Sequence, residues 1–191
     1  FGNDETVIYY MKNTVIKDEL IYGQRSPYET AGILREMAEK HGNCLVVIDV
    51  GGLGCGAVDP LIGMGANVLP INNSESADDP HRFYNRRAEA WYTVGEMFAA
   101  GDVEYRSNDI YLRGQLCTPR YEFRNGKILI ESKDSIKKRL GKSPDRADAY
   151  VNGLYALQYV EGELIGGRPC YSNEFDDEDD IYAGGFSAMA M

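Results

Sequence analysis

The run CLVVIDV at residues 44–50, followed at once by GGLGCG, constrains this chain more than any other segment. A short apolar stretch of β-branched residues closed by turn residues is the signature of a strand buried on both faces, and such strands lie inside sheets covered by helices. Asp49 stands near the end of that run, and in open α/β sheets the sites form at the carboxyl ends of strands. The glycines that follow let the backbone turn closely past Asp49 and open its face to a bulky substrate.

The flanking segments supply further strands and the helices. Residues 5–11 and 15–24 are rich in β-branched and aromatic residues and are separated by Lys12, Asn13 and Thr14, so they read as a hairpin. Ser26-Pro27-Tyr28-Glu29 is a capping box with proline at the first helical position; it opens a helix that runs to about Lys40 and stops at Gly42. AVDPLIGMG reads as a short helix and NVLPIN as another strand. Residues 81–100 follow as a helix with Phe83, Ala90, Trp91, Val94, Met97 and Phe98 at helical spacing. LRGQLCTPRYEFRNGKILIES reads as strands around Asn125-Gly126, a pair that favours a type I′ turn. Lys133 to Leu140 form a short helix, and Pro144 starts a last one reaching about Val160. This order predicts a mixed α/β layer architecture.

Composition narrows the function. With 191 residues, 43% of them apolar, the chain can bury a full core in one domain with a small appendage. No stretch approaches the roughly eighteen unbroken apolar residues of a membrane span, and FGNDETV lacks the basic and apolar regions of a signal peptide, so a cytoplasmic location is the expectation. Cys44, Cys55, Cys117 and Cys170 form no CxxC pair, which removes support for a zinc ribbon or thioredoxin-like chemistry and leaves buried thiols as the expectation. Two histidines, His41 and His81, are a poor basis for a zinc site or a Ser/His/Asp triad; His41 reads as the end of the first helix.

The net charge of −10 argues against a protein that coats DNA generally, yet its distribution is uneven. Six acids crowd Glu174 to Asp180, whereas Lys127, Lys133, Lys137, Lys138, Arg139, Lys142 and Arg146 concentrate positive charge ahead of and within SPDRAD. A basic strip beside acids suits a metal-dependent nuclease, because phosphate must be drawn to the place where metal neutralises carboxylates; a solvated helix face reads equally well from the strip alone. Asp145 and Asp148 are three apart and share one helical face at the first turn, although Asp145 could simply serve the helix N-terminus. Carboxylates without histidine or cysteine nearby suit Mg²⁺ or Mn²⁺. Two other motifs fail on context. Gly52-Leu53-Gly54-Cys55-Gly56-Ala57 matches a dinucleotide fingerprint, but its strand is not the first of the fold and the next strand ends in Asn72-Asn73. Gly141-Lys142-Ser143 imitates the end of a P-loop, but Ile136 stands where its first glycine belongs.

DVGGLGCGAVDPL, FYNRRAEAWYTVGEMF and ILIESKDSIKKRLGKSPDRADAYVNGLYA, in that order, closely resemble the C-terminal nuclease domain of tailed-phage terminase large subunits. The resemblance covers roughly residues 1–160. It implies an RNase H-like mixed sheet flanked by helices with an added β-hairpin, as a nuclease domain over residues 1–163 followed by an acidic, flexible tail over 164–191. The implied activity is cutting of concatemeric phage DNA by two-metal phosphodiester hydrolysis with Mg²⁺ or Mn²⁺. The implied partners are double-stranded DNA, an ATPase domain in the same polypeptide, the portal and the small terminase subunit, in the host cytoplasm and outside the mature virion.

Carried over residue by residue, the resemblance makes Asp49 and Asp145 metal-binding catalytic acids, with Asp148 a further ligand or a group behind them. Lys133 matches a lysine near the site that contacts phosphate; Lys137, Arg146, Arg124 and Lys127 are further DNA-binding candidates, the last two on a hairpin over the DNA groove. Asp4 matches a later acid of the family's first motif and acts through water or behind the metal ligands. The first catalytic Asp of that motif, with most of the central strand, falls before Phe1, so the sheet is expected to lack its middle strand. Two alternatives stay open: a non-catalytic module that binds DNA or portal, and another RNase H-like nuclease such as a junction resolvase.

Overall fold

Side-chain alternation in the first hairpin sets the layers of this protein, for which a computed structural model describes residues 4–23, 25–51, 54–161 and 186–190. Strands β1 (Thr6–Lys12) and β2 (Val15–Tyr22) pair antiparallel. Val7, Tyr9 and Met11 enter one hydrophobic cluster while Ile8 enters another, so β1 is buried on both faces. Strand β3 (Leu45–Asp49) behaves alike, with Val47 in the first cluster and Val46 and Ile48 in the second. Period two thus forces helices onto both sides of the sheet.

One side is covered by α1 (Pro27–Lys40), through Ala31, Leu34, Met37 and Ala38, and by α2 (Cys55–Gly63), through Ala57 and Leu61. The capping box that opens α1 forms in both directions: Glu29 N–H donates to Ser26, and Ser26 N–H donates to the Glu29 carboxylate at 2.9 Å. The other side is covered by α3 (Arg86–Ala100), α4 (Ile110–Leu116) and α6 (Asp145–Glu161). Every residue of α6 from Ala147 to Ala156 is buried, which explains why its sequence shows so little amphipathic pattern. Each large apolar side chain fully buried this way contributes about 1.5–3 kcal/mol.

The sheet order is β2-β1-β7-β3-β4, with β4 at Val68–Ile71 and β7 at Phe186–Ala190. The middle position expected to stand empty is filled: β7 runs parallel to β3 and antiparallel to β1, with Ala188 level with both Val47 and Tyr9. The flexible tail expected from residue 164 onward therefore does not describe residues 186–190; residues 162–185 lie outside the described residues. Backbone pairing on both edges is what holds so short a strand there.

A second correction concerns residues 112–116, read from sequence as the start of the strand segment; residues 110–116 are helical. They form α4, because Asp109 accepts N–H bonds from Tyr111 and Leu112 as an N-cap and Leu112 docks into the core. The hairpin β5 (Tyr121–Arg124) and β6 (Lys127–Ile130) follows as expected, with Asn125 and Gly126 both at positive φ. It is a separate two-stranded sheet, tied to the start of α3 by backbone bonds from Tyr84 N–H to Ile128 and from Ile128 N–H to Arg82. Helix α5 (Lys133–Leu140), capped by Ser132, returns the chain towards α6.

Candidate active site

Asp49 closes β3 and is 3% exposed. Both its oxygens are held: Gly51 N–H donates to Oδ1 at 2.8 Å, and Asn73 Nδ2 donates to Oδ2 at 2.9 Å. The glycines earn their place sterically. A Cβ on Gly54 would lie 1.8 Å from the Asp49 carbonyl oxygen, and one on Gly51 would lie 3.0 Å from Asp49 Oδ1. Asn73 follows β4, the parallel neighbour of β3, and its backbone carbonyl accepts from Arg87 N–H at 3.0 Å, so the ends of two strands and the start of α3 converge on Asp49.

Asp148, 2% exposed, reaches the same place from α6. Its Oδ1 accepts from Trp91 Nε1 at 2.9 Å and from Arg87 Nη2 at 3.3 Å; Lys133 Nζ lies 3.1 Å from its Oδ2 and 3.8 Å from Asp49 Oδ2. The segment NRRAEAW is thereby explained residue by residue. Asn85 caps α3 by accepting from Ala88 N–H, Arg86 pairs with Asp78, and Arg87 and Trp91, one turn apart, reach Asp148 together. Glu89 accepts the backbone N–H groups of Asp78 and Asp79 and fixes the preceding loop.

The two acids at the start of α6 are pushed in opposite directions. Burial raises the pKa of Asp145, and the bonds from Ser143 and from Glu5 N–H, at 2.9 Å, do not outweigh it. Burial opposes ionisation of Asp148 as well, but Lys133, Arg87 and Trp91 outweigh it and hold that carboxyl below the ordinary range. Burial likewise works against the Lys133 ammonium, yet Asp148 and Asp49 raise its pKa overall.

Asp49, Asn73, Arg87 and Lys133 line a cavity of about 890 Å³ together with Arg120 and Arg124, and Asp148 lies behind them, paired with Lys133 and Arg87. Of the residues singled out from sequence, the structure brings Asp49, Asp148 and Lys133 together, with Arg124 on the cavity wall. Asp145 accepts from Glu5 N–H next to β1 while still feeling the charge of Lys133, and the exposed Asp4 pairs with Lys137 at 2.6 Å. Lys127 sits across the hairpin from Arg124. The guanidinium of Arg146, a DNA-binding candidate from sequence, is held by Glu5 at 2.9 Å and Asp109 at 2.8 Å, which raise its pKa. Sequence reasoning missed Asn73, Asn152 and the bond from Trp91 to Asp148; an Asn-Asn pair closing a strand beside the one that carries Asp49 was the available signal.

Hard carboxylate and amide oxygens fit a divalent cation such as Mg²⁺ or Mn²⁺. Asp49, Asp148 and the buried Asn73 Oδ1, which has no hydrogen-bond partner, supply such oxygens. Among the described residues no group of three or more His, Cys, Asp or Glu side chains is gathered closely enough to hold a metal, and the Lys133 ammonium stands between Asp49 and Asp148.

A hairpin continued by parallel strands, helices on both faces and acids at the strand and helix ends define an RNase H-like α/β domain. Within that class, the chain has the fold of the nuclease domains of phage large terminase subunits. The nuclease domain of the large terminase subunit gp2 of bacterial virus Sf6 matches it with a TM-score of 0.64 and 21% identity over 78% of this chain and 81% of that one. The large terminase nuclease of thermophilic phage G20c matches with a TM-score of 0.59 and 17% identity over 83% of this chain and 77% of that one. The same G20c nuclease with bound magnesium matches with a TM-score of 0.54 and 17% identity, over 69% and 67% of the two chains. No protein-family model matches the sequence, and no curated protein does.

Proposed function

We propose that this chain is the nuclease domain of a phage DNA-packaging terminase, a metal-dependent endonuclease that cuts concatemeric double-stranded DNA. The observation that carries the reading is the convergence of buried Asp49 and Asp148 on Lys133, with Asp49 and Lys133 lining a cavity walled by Arg120 and Arg124, on the fold shared with terminase nucleases. Asp49 and Asp148 would hold Mg²⁺ or Mn²⁺, with Asp145 joining them from the same turn of α6. When bound, such ions activate water and stabilise the leaving oxygen of a phosphodiester. Lys133 offsets the repulsion between the two carboxylates, and with a cation held by them its ammonium would serve to contact a phosphate. Arg124 and Lys127 on the hairpin, and Lys137 beside α6, would meet the DNA backbone. The partners are those of a packaging motor in the host cytoplasm: an ATPase domain of the same polypeptide, the portal and the small subunit. Among the described residues no helix is long and apolar enough to cross a membrane.

One observation favours a second reading, a non-catalytic DNA- or portal-binding module. Strand β7, alongside β3, is FSAMA and brings no acid to the sheet position next to Asp49. Plasmid nicking in Mn²⁺ separates the two. The nuclease reading expects nicking that Asp49→Asn together with Asp145→Asn abolishes; nicking that survives the pair sinks it. Metal-insensitive DNA binding without nicking selects the second.

A further inference from the structure

The amide of Asn73 carries an inference that rests on the metal-dependent reading and adds a residue to it. Asn73 keeps 9% of its exposure and lines the cavity beside Asp49. An ionised carboxylate only accepts hydrogen bonds, so the atom that Asn73 turns towards Asp49 Oδ2 must be its NH₂ group. That group's two N–H bonds are both used: one on Asp49 Oδ2 at 2.9 Å, the other on Asn152 Oδ1 at 3.3 Å. A flipped amide would set its oxygen against two acceptors. The orientation is therefore fixed, and Asn73 Oδ1 is left buried with no hydrogen-bond partner among the described residues.

Asn152 strengthens the argument. It is 2% exposed and lies four residues beyond Asp148 on α6, on the same face, so it ties the β4 loop to the helix that carries the second carboxylate. Its own Nδ2 has no partner either. Burying an amide oxygen without a partner is unfavourable, and a hard cation or a water on that cation is the partner an amide oxygen beside a carboxylate is suited to.

We infer that Asn73 Oδ1 is a neutral oxygen ligand of the cation site, donating a lone pair to the divalent ion held by Asp49 or accepting a hydrogen bond from a water on that ion, and that Asn152 is the positioning residue that fixes its amide. The neutral donor adds coordination without adding to the negative charge that Lys133 and Arg87 already balance.

Titrating the whole chain with Mn²⁺ by calorimetry, with thermal melting in chelator and in Mn²⁺, tests this without relying on activity. Asn73→Leu removes the oxygen and should weaken Mn²⁺ binding roughly 10- to 100-fold. Asn73→Asp keeps an oxygen and loses the N–H groups. It should melt lower than the native chain in chelator, bind Mn²⁺ at least as tightly, and recover its melting temperature when Mn²⁺ is added. Native-like Mn²⁺ affinity in Asn73→Leu overturns the inference. So does Asn73→Asp binding more weakly than the native chain, because the N–H groups, and not the oxygen, would then be what matters; this variant decides alone if Asn73→Leu does not fold. No saturable Mn²⁺ binding by the native chain, or native-like binding by Asp49→Asn, instead overturns the metal-dependent reading, and the inference falls with it.

Discussion

Replacing Asp148 with asparagine keeps the shape of the side chain and an oxygen for Trp91, but removes the negative charge that faces two buried cations. Arg87 is 11% and Lys133 30% exposed at the side chain, so neither can recover full hydration. Removing one partner of a buried charge pair costs about 3–5 kcal/mol. Arg87 keeps its 2.7 Å bond to the Glu131 carbonyl and Lys133 keeps Asp49 at 3.8 Å, which places the expected loss near the low end, about 3 kcal/mol. The pH dependence identifies the cause. Asp148 titrates below its unfolded value, so its ionised contacts contribute fully above the ordinary carboxylate pKa and are lost as pH falls through the folded value. Urea denaturation in chelator should therefore show the full gap between native chain and variant at neutral pH, closing only below about pH 4. Asp145→Asn is the internal control: burial raises that pKa, so ionised Asp145 costs stability at neutral pH, and the variant should be as stable as the native chain or more so. An Asp148→Asn chain that matches the native one at pH 7, or a gap already closed at pH 5, would refute the charge argument.

Three further outcomes test the geometry. Gly54→Ala places a methyl carbon inside the Asp49 carbonyl and should cost about 1–3 kcal/mol in melting experiments while weakening Mn²⁺ binding; melting and Mn²⁺ affinity both unchanged would show that this close approach is unimportant. Ala188→Pro removes an N–H from a strand paired on both sides and should destabilise by about 3 kcal/mol or more, whereas a proline in a free tail would be silent in the same denaturation curve. Arg124→Gln with Lys127→Gln should lower affinity for all DNA sequences alike and flatten the slope of log affinity against log salt by about two, one for each lost phosphate contact. An unchanged slope removes the hairpin from the DNA surface.

Local chemistry made much of the fold legible in the sequence. The Ser26 capping box, the Asn125-Gly126 turn and the apolar run into Asp49 each specify their own structure through neighbours a few residues away, and each formed as read. Asp49 and Asp148 were visible as acids at a strand end and a helix start for the same reason. The LRGQL segment was misread because the Asp109 cap and the burial of Leu112, not β-propensity, decide its conformation. What only the tertiary structure decided is which groups meet. Contacts separated by many residues carry no local signature, so nothing short-range could place β7 between β1 and β3, bond Asp145 to Glu5, bind Arg146 to Glu5 and Asp109, or bring Asn73, Trp91 and Asn152 to the acids. The sequence by itself determined most of the secondary elements, α4 excepted, and the acids at their ends, because those depend on periodicity and capping; the ordering of the strands and the wiring of the site followed only from burial in three dimensions.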